Sequence, residues 1–302
     1  MGGVISVYQE PIPNIDGIVT YFNKTPRDIV CPHFWELRWA FGCPYDCDYC
    51  YLRGTGWGNK DPRYRPIDRV LRAIQKAFDH KYFVENPCIF NSGELSDSLM
   101  NPSRMEQIAE KFEEQGKHKL LLLTKSNNVM FLVEKPRKQT VVSFSLNAPE
   151  VWKRWEHRTP SPEKRIEAAR MVSEAGYEVR VRVDPIFPIE DWQRHYQDLL
   201  YVLLSEIPKG KDPERITLGT PRGLQKTIAY SKNQSWTKYF EEYSKWGKKL
   251  SSSQRKEIYL FFCDKLGELG FDKSRISLCK ETDLMWKELG MDRTRCRCNC
   301  IW

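Results

Sequence analysis

The chain has 302 residues, 40% of them apolar, 13% aromatic and 29% charged, which is enough for one large core or two modest ones and too aromatic for a disordered polymer. Its 48 Lys+Arg against 40 Asp+Glu leave a net charge of +8, which permits a polyanionic partner without requiring one, because the excess is spread along the sequence. No uninterrupted apolar run approaches the roughly 20 residues needed to span a bilayer, and MGGVISVYQEPIPNIDG shows no basic-then-apolar secretory layout, so a cytoplasmic protein without membrane contact is expected.

In chain order, residues 1–33 read as an N-terminal extension, and from 34 onward short apolar runs alternate with amphipathic stretches. Strands are predicted over 34–40, 87–92, 119–124, 139–146, 177–186 and 215–220, and helices over 67–80, 103–116, 161–176 and 191–207. Within 161–176, Ile166, Ala169, Val172 and Ala175 fall at helical spacing, Ser161 is placed to cap the N-terminus, and Gly176 to end the helix. The βα repetition predicts an α/β fold with a parallel sheet and crossovers of one hand, curled into a partial (β/α)6 TIM-type barrel over 34–222. Residues 223–302 are expected to form a C-terminal extension, helical over 224–274 and cysteine-bearing over 275–302. In such barrels the chemistry lies at the C-terminal strand ends, which here deliver FGC at 41–43, NSGE at 91–94, TKSN at 124–127, SLN at 145–147, RVDP at 182–185 and GTPR at 219–222.

Ten cysteines are the unusual part of the composition. Cys43, Cys47 and Cys50 form a CxxxCxxC loop after the first predicted strand. Three thiolates in such a loop can ligate three irons of a [4Fe–4S] cube and leave the fourth open, whereas a closed zinc site would have to borrow Cys31 from across a strand. Cys279, Cys296, Cys298 and Cys300 could close a second [4Fe–4S] cluster or a zinc site, with Arg293, Arg295 and Arg297 favouring the thiolates. Cys31, Cys88 and Cys263 carry no metal pattern. The five histidines show no ligand spacing. Trp152, Trp155, Trp192, Trp236 and Trp246, interleaved with basic residues, would form either helix core or a stacking surface. Arg222 would bind an anion at the barrel mouth or cap a helix.

CxxxCxxC with Tyr49 before its last cysteine, behind the first strand of a βα barrel, resembles the radical S-adenosylmethionine (SAM) superfamily over residues 34–220. GCPYDCDYCYLRGT, SGELSDS, TKS, SFSLN and RVRVDPIFP resemble its spore photoproduct lyase branch. The resemblance implies that SAM chelates the open iron and is cleaved reductively to methionine and a 5′-deoxyadenosyl radical, which abstracts a hydrogen atom from substrate. It further implies that Gly93 and Glu94 lie near the methionine ammonium, Lys125 meets the SAM carboxylate, Ser145 and Asn147 meet the ribose hydroxyls with Arg182 beside them, and Tyr49 lies against adenine. One departure stands out. Lyases of this branch carry a hydrogen-donating cysteine in a Cys-Thr-Ser-Asp segment, and this chain reads Glu94-Leu95-Ser96-Asp97.

The expected function is therefore a radical SAM enzyme acting on a nucleic acid or modified nucleotide, supplied with electrons by a reductant such as ferredoxin or flavodoxin. The alternatives are radical modification of a peptide or protein and a non-catalytic iron–sulfur or zinc binding module.

Overall fold

The computed structural model describes residues 12–55, 61–208, 210–295 and 297–302. Eight strands make one sheet in which spatial order follows chain order: β1 (Val19–Phe22), β2 (Phe34–Leu37), β3 (Ile89–Asn91), β4 (Lys119–Thr124), β5 (Thr140–Leu146), β6 (Glu178–Val183), β7 (Arg215–Leu218) and β8 (Ile276–Leu278). Only β1 and β2 pair antiparallel, and every later neighbour is parallel. Parallel neighbours need crossovers, which are supplied by helices including Ile67–Asp79, Pro102–Glu113, Pro162–Glu174, Trp192–Glu206 and Ser252–Glu268. The six strands β2 to β7 are the predicted partial barrel. Ser161 accepts a hydrogen bond from the backbone N–H of Lys164, and Gly176 has φ +91, the cap and stop expected of that helix.

The two flanks do not stand apart from this sheet. β1 from the N-terminal side and β8 from the C-terminal side extend it at opposite edges, and Ile29–Val30 pairs with Glu281–Thr282 to join the flanks to each other. The helical expectation for 224–274 is corrected in part: Glu242–Ser244 and Gly247–Lys249 form a β-hairpin. Gly247 has φ +94, and a Cβ there would stand 2.5 Å from the Gly223 carbonyl oxygen, so the turn requires glycine.

Strand alternation divides the core. Leu120, Leu122, Val142, Phe144, Val179, Val181 and Val183 belong to the main core, while Ile89, Leu121 and Val141 make a small separate cluster on the other face. Further along that inner face, cross-strand register aligns Ser143, Arg180 and Arg215, then Ser145, Arg182 and Thr217. This polar surface is covered by the chain's own C-terminus. Arg180 donates to the carbonyl oxygens of Asn299 (2.8 Å) and Ile301 (2.6 Å), Arg215 donates to that of Cys298 (3.0 Å), and the Asn299 amide donates to Val181 O (2.8 Å). Buried arginines at the bottom of a barrel require acceptors, and the tail's carbonyls supply them.

Candidate active site

The CxxxCxxC loop follows Ala40–Phe41, which pairs with Arg63–Tyr64 outside the main sheet, and is clamped from three directions. Arg53 donates through Nε to Cys47 O (2.8 Å) and through Nη2 to Asp46 O (2.9 Å), and pairs with the Asp46 carboxylate at 2.7 Å. Asp48 meets His157 at 2.5 Å, and its backbone N–H bonds Trp155 O. From the C-terminal flank, Lys232 pairs with Asp46 and Asn233 N–H donates to Asp48. Asp46 has φ +53, a left-handed conformation that turns the loop. All three cysteines face one cavity of about 330 Å³ at the C-terminal strand ends, and none of the described cysteines is in a disulfide. Burial pushes the thiols of Cys43 and Cys47 well above their ordinary range, so metal binding there must release protons.

Beside the loop Lys125 and Tyr49 join a charge hub built on Glu156 and Arg165, which no sequence motif marks. The fully buried Glu156 carboxylate pairs with Arg165 (2.5 Å) and Lys125 (2.9 Å) and accepts from the Tyr49 hydroxyl. Burial opposes its ionisation, but Arg165 and Lys125 outweigh burial and hold the carboxyl well below its usual range. Lys125 Nζ also meets Tyr49 Oη at 3.0 Å. Asp97, two residues into the cavity wall from Leu95, accepts from Thr124 Oγ1 (2.7 Å), Lys125 N (2.7 Å) and Leu99 N (2.9 Å), while burial pushes its carboxyl upward.

Most of the anticipated residues converge. Cys43, Cys47, Cys50, Tyr49, Gly93, Glu94, Lys125, Ser145 and Arg182 all line the cavity. Asn147 does not: it is fully buried, its amide donates to Pro185 O (2.8 Å), and its Oδ1 accepts from Tyr196 Oη (2.8 Å) and Ala148 N (3.0 Å). Those bonds occupy it as a core bracket. Gly93 is required chiefly by the neighbouring strand, since a Cβ would lie 2.6 Å from Leu123 Cβ and its carbonyl oxygen. Trp155, Trp192 and Trp236 are buried, so they are core and not a stacking surface, whereas Trp246 reaches the cavity from the hairpin turn.

The described tail cysteines come from two segments of the chain. Cys279, directly after β8, lines the cavity, and burial pushes its thiol up to about 12. Cys298 and Cys300 pack with Phe34 on the inner face, and Cys296 lies outside the described residues. Arg293 turns to Asp283 (2.6 Å) and Arg297 to Glu214 (3.8 Å), so the cation at Cys300 is Arg182, at 3.1 Å. Arg222 grips Asp184 inside the cavity. Phe22, Trp246 and Lys280 complete its wall from both flanks. No motif marks them, because they meet the site only through the pairing of the flanks.

Among the described residues, no three His, Cys, Asp or Glu side chains are gathered to hold a single metal ion. A [4Fe–4S] cube takes its thiolates on three different irons, and the donor set of the loop fits that group: three thiols line one cavity whose wall also carries Lys125, Glu94 and Ser145. A partial (β/α)6 barrel with a CxxxCxxC loop at the C-terminal strand ends defines a radical SAM protein. The spore photoproduct lyase family model matches residues 34–228, and the chain belongs to that family.

Among curated relatives, the spore photoproduct lyase of Bacillus subtilis is 33% identical over 184 residues (58% of this chain, 52% of that protein). That of Clostridium acetobutylicum is 28% identical over 173 residues (55% and 50%). The chain thus spans about half the length of these relatives. Among solved structures, spore photoproduct lyase complexed with dinucleoside spore photoproduct superposes with a TM-score of 0.68 at 22% identity, over 81% of this chain and 75% of that one. Streptococcus suis SuiB bound to S-adenosylmethionine gives 0.55 at 15% identity, over 84% and 52%. These likenesses establish the fold.

Proposed function

We propose that this chain is a radical SAM enzyme acting on a modified nucleotide or lesion in nucleic acid. The observation that carries the reading is the convergence of Cys43, Cys47 and Cys50 with Glu94, Lys125 and Ser145 on one cavity. When bound, the cluster and SAM supply reductive cleavage of the sulfonium and a 5′-deoxyadenosyl radical able to abstract hydrogen. The chain's own residues do the rest. The three thiolates of Cys43, Cys47 and Cys50 would hold three of the irons, and three ligands on a four-iron cluster would leave the fourth for SAM. Lys125 is aimed by Glu156 and Tyr49 and offers a cation to the carboxylate of the methionine moiety, Ser145 offers a hydroxyl to the ribose, and Leu52, Leu123 and Phe22 limit water.

Glu94 stands where the lyases of this family carry their hydrogen-donating cysteine, so repair of thymine photoproducts by that route is not expected, and a different lesion or modified base is the substrate we favour. Residues 34–222 form the catalytic core in this reading, with 1–33 and 223–302 as extensions. A second cluster or zinc on Cys279, Cys296, Cys298 and Cys300, a ferredoxin- or flavodoxin-type reductant and a cytoplasmic setting belong to the same proposal.

The test is anaerobic reconstitution with iron and sulfide, followed by reduction in the presence of SAM. About four irons per chain are expected for one cluster and about eight for two, with 5′-deoxyadenosine and methionine formed in equal amounts. Cys47→Ala should abolish cleavage while the far-ultraviolet circular dichroism is retained. A reconstituted, reduced protein that leaves SAM intact would sink the enzyme reading.

A further inference from the structure

The cations of the cavity are matched with carboxylates, with one exception. Lys125 lies 2.9 Å from Glu156, Arg222 holds both oxygens of Asp184 at 2.7 and 2.8 Å, and Lys280 lies 3.5 Å from Glu94. Among the described residues Arg182 has no carboxylate within ion-pair distance. Its Nη2 meets only the thiol of Cys300 at 3.1 Å, and its Nε is buried with no hydrogen-bond partner. Asp184, the acid two residues further along, has both oxygens committed to Arg222. A guanidinium taken out of water without a counter-charge is costly, and its planar fork of donors matches a carboxylate or phosphate. The structure therefore holds a cation whose natural partner is an oxyanion entering the cavity.

We infer that Arg182 is the subsite for a phosphate of the substrate, with Cys300 as the positioning residue that holds its guanidinium. The choice of phosphate rests on the nucleotide-directed reading above and on the adjoining wall. Phe22, Tyr51 and Trp246 present aromatic rings there, which in this structure surround the Lys280 ammonium at 5.6, 5.9 and 5.2 Å from their centroids. Rings that can stack a base and a guanidinium that can grip a phosphate, on one cavity, are the two halves of a nucleotide site. Cys300 is fixed in turn by the tail: Asn299 and Ile301 on either side are tied to β6 through Arg180 and Val181, and the Asn91 amide approaches Cys300 Sγ at 3.6 Å. The C-terminal residues thus hold Arg182 from behind the cavity wall.

The experiment is calorimetric titration of the full-length protein with thymidine 5′-monophosphate and with thymidine, which lacks the phosphate. The monophosphate is expected to bind about tenfold or more tightly, an advantage that shrinks as salt rises. Arg182→Gln should erase the difference between the two probes and leave thymidine binding unchanged. Arg182→Lys, which keeps the charge without the fork, should retain part of it and covers the case in which the glutamine variant does not fold. Cys300→Ala should weaken monophosphate binding severalfold, and Cys300→Ser should restore it.

Equal affinity for both probes in the unaltered protein, or an unchanged preference in Arg182→Gln, overturns the proposal. So does a third outcome, in which Arg182→Gln weakens SAM but not 5′-methylthioadenosine, because Arg182 would then serve the cofactor's carboxylate. These binding readouts need no turnover. Phosphate preference without SAM cleavage sinks the enzyme reading alone, and SAM cleavage without phosphate preference sinks the subsite alone.

Discussion

Glu156 and His118 show how single buried groups set measurable properties of this protein. Glu156 neutralises Arg165, whose side chain is fully buried, and anchors Lys125 and Tyr49 at the cavity. Glu156→Gln leaves a buried guanidinium and a cavity lysine without their carboxylate, so a loss of about 3–5 kcal/mol is expected; urea denaturation of the two proteins checks it. His118 is buried, accepts from Cys88 N–H at 3.2 Å and stacks on Phe78. Burial, with Lys117 adding to it, holds its pKa down to about 4, against roughly 6.5 in an unfolded chain. Between those values the unfolded chain takes up a proton that the folded one refuses, so stability present at neutral pH is lost as pH falls from about 6.5 toward about 4. The urea midpoint should decline over that window, and more shallowly in His118→Asn. Neither role was legible in the sequence, because a Glu after a Trp and a His before a Lys have nothing to distinguish them until the fold places an arginine or a phenylalanine against them.

At the scale of elements, the strands and the loops at their ends were readable and the brackets between them were not. The apolar runs at 119–124 and 139–146 became β4 and β5 with at most one residue of difference, since a strand buried on both faces leaves a nearly continuous hydrophobic signal. Asn147 directly follows one of those ends and was expected at the ribose, but its side chain turns to Pro185 and Tyr196 in the core; the residue just past a strand can face either way, and sequence alone does not say which. Gly93 makes the converse point. Its place at a strand end suggested ligand approach, and the structure adds contact with Leu123. Gly93→Ala should push β3 from β4 and cost about 1–3 kcal/mol, read as a lowered melting temperature. The clamp on the cysteine loop gives a second expectation at this scale. Arg53→Ala removes donors to Asp46 and Cys47 carbonyls, so reconstituted protein should lose iron severalfold faster to a chelator while its far-ultraviolet circular dichroism stays unchanged.

For the molecule as a whole, the described flanks on either side of the barrel are structural parts of it. The C-terminal residues cover its polar inner face, and two arginines there depend on tail carbonyls. Truncation after residue 296 would orphan those donors at about 1–3 kcal/mol each and uncover Phe34, so the truncated chain should melt well below the full one or fail to accumulate as folded protein, as thermal unfolding would show. A detachable cysteine tail predicts the opposite result, an unchanged melting temperature. No helix of the described residues is long and apolar enough to cross a membrane, in keeping with the scattered charge of the sequence.

The sequence by itself determined the class of fold, the cysteine loop and the family, because these rest on local pattern: hydrophobic period, strand-end position and the spacing of three thiols. The Glu94-Leu95-Ser96-Asp97 segment, the departure from the resemblance, is likewise a matter of local sequence. Tertiary structure alone decided which neighbours each polar group would meet. The pairing of Lys125 with Glu156, the turn of Asn147 into the core, the arrival of Phe22, Trp246 and Lys280 at the cavity and the seating of Cys300 on Arg182 all join residues far apart in the chain. Burial and charge act through space, and the chain order of this protein does not encode those distances until the sheet has closed around its own C-terminus.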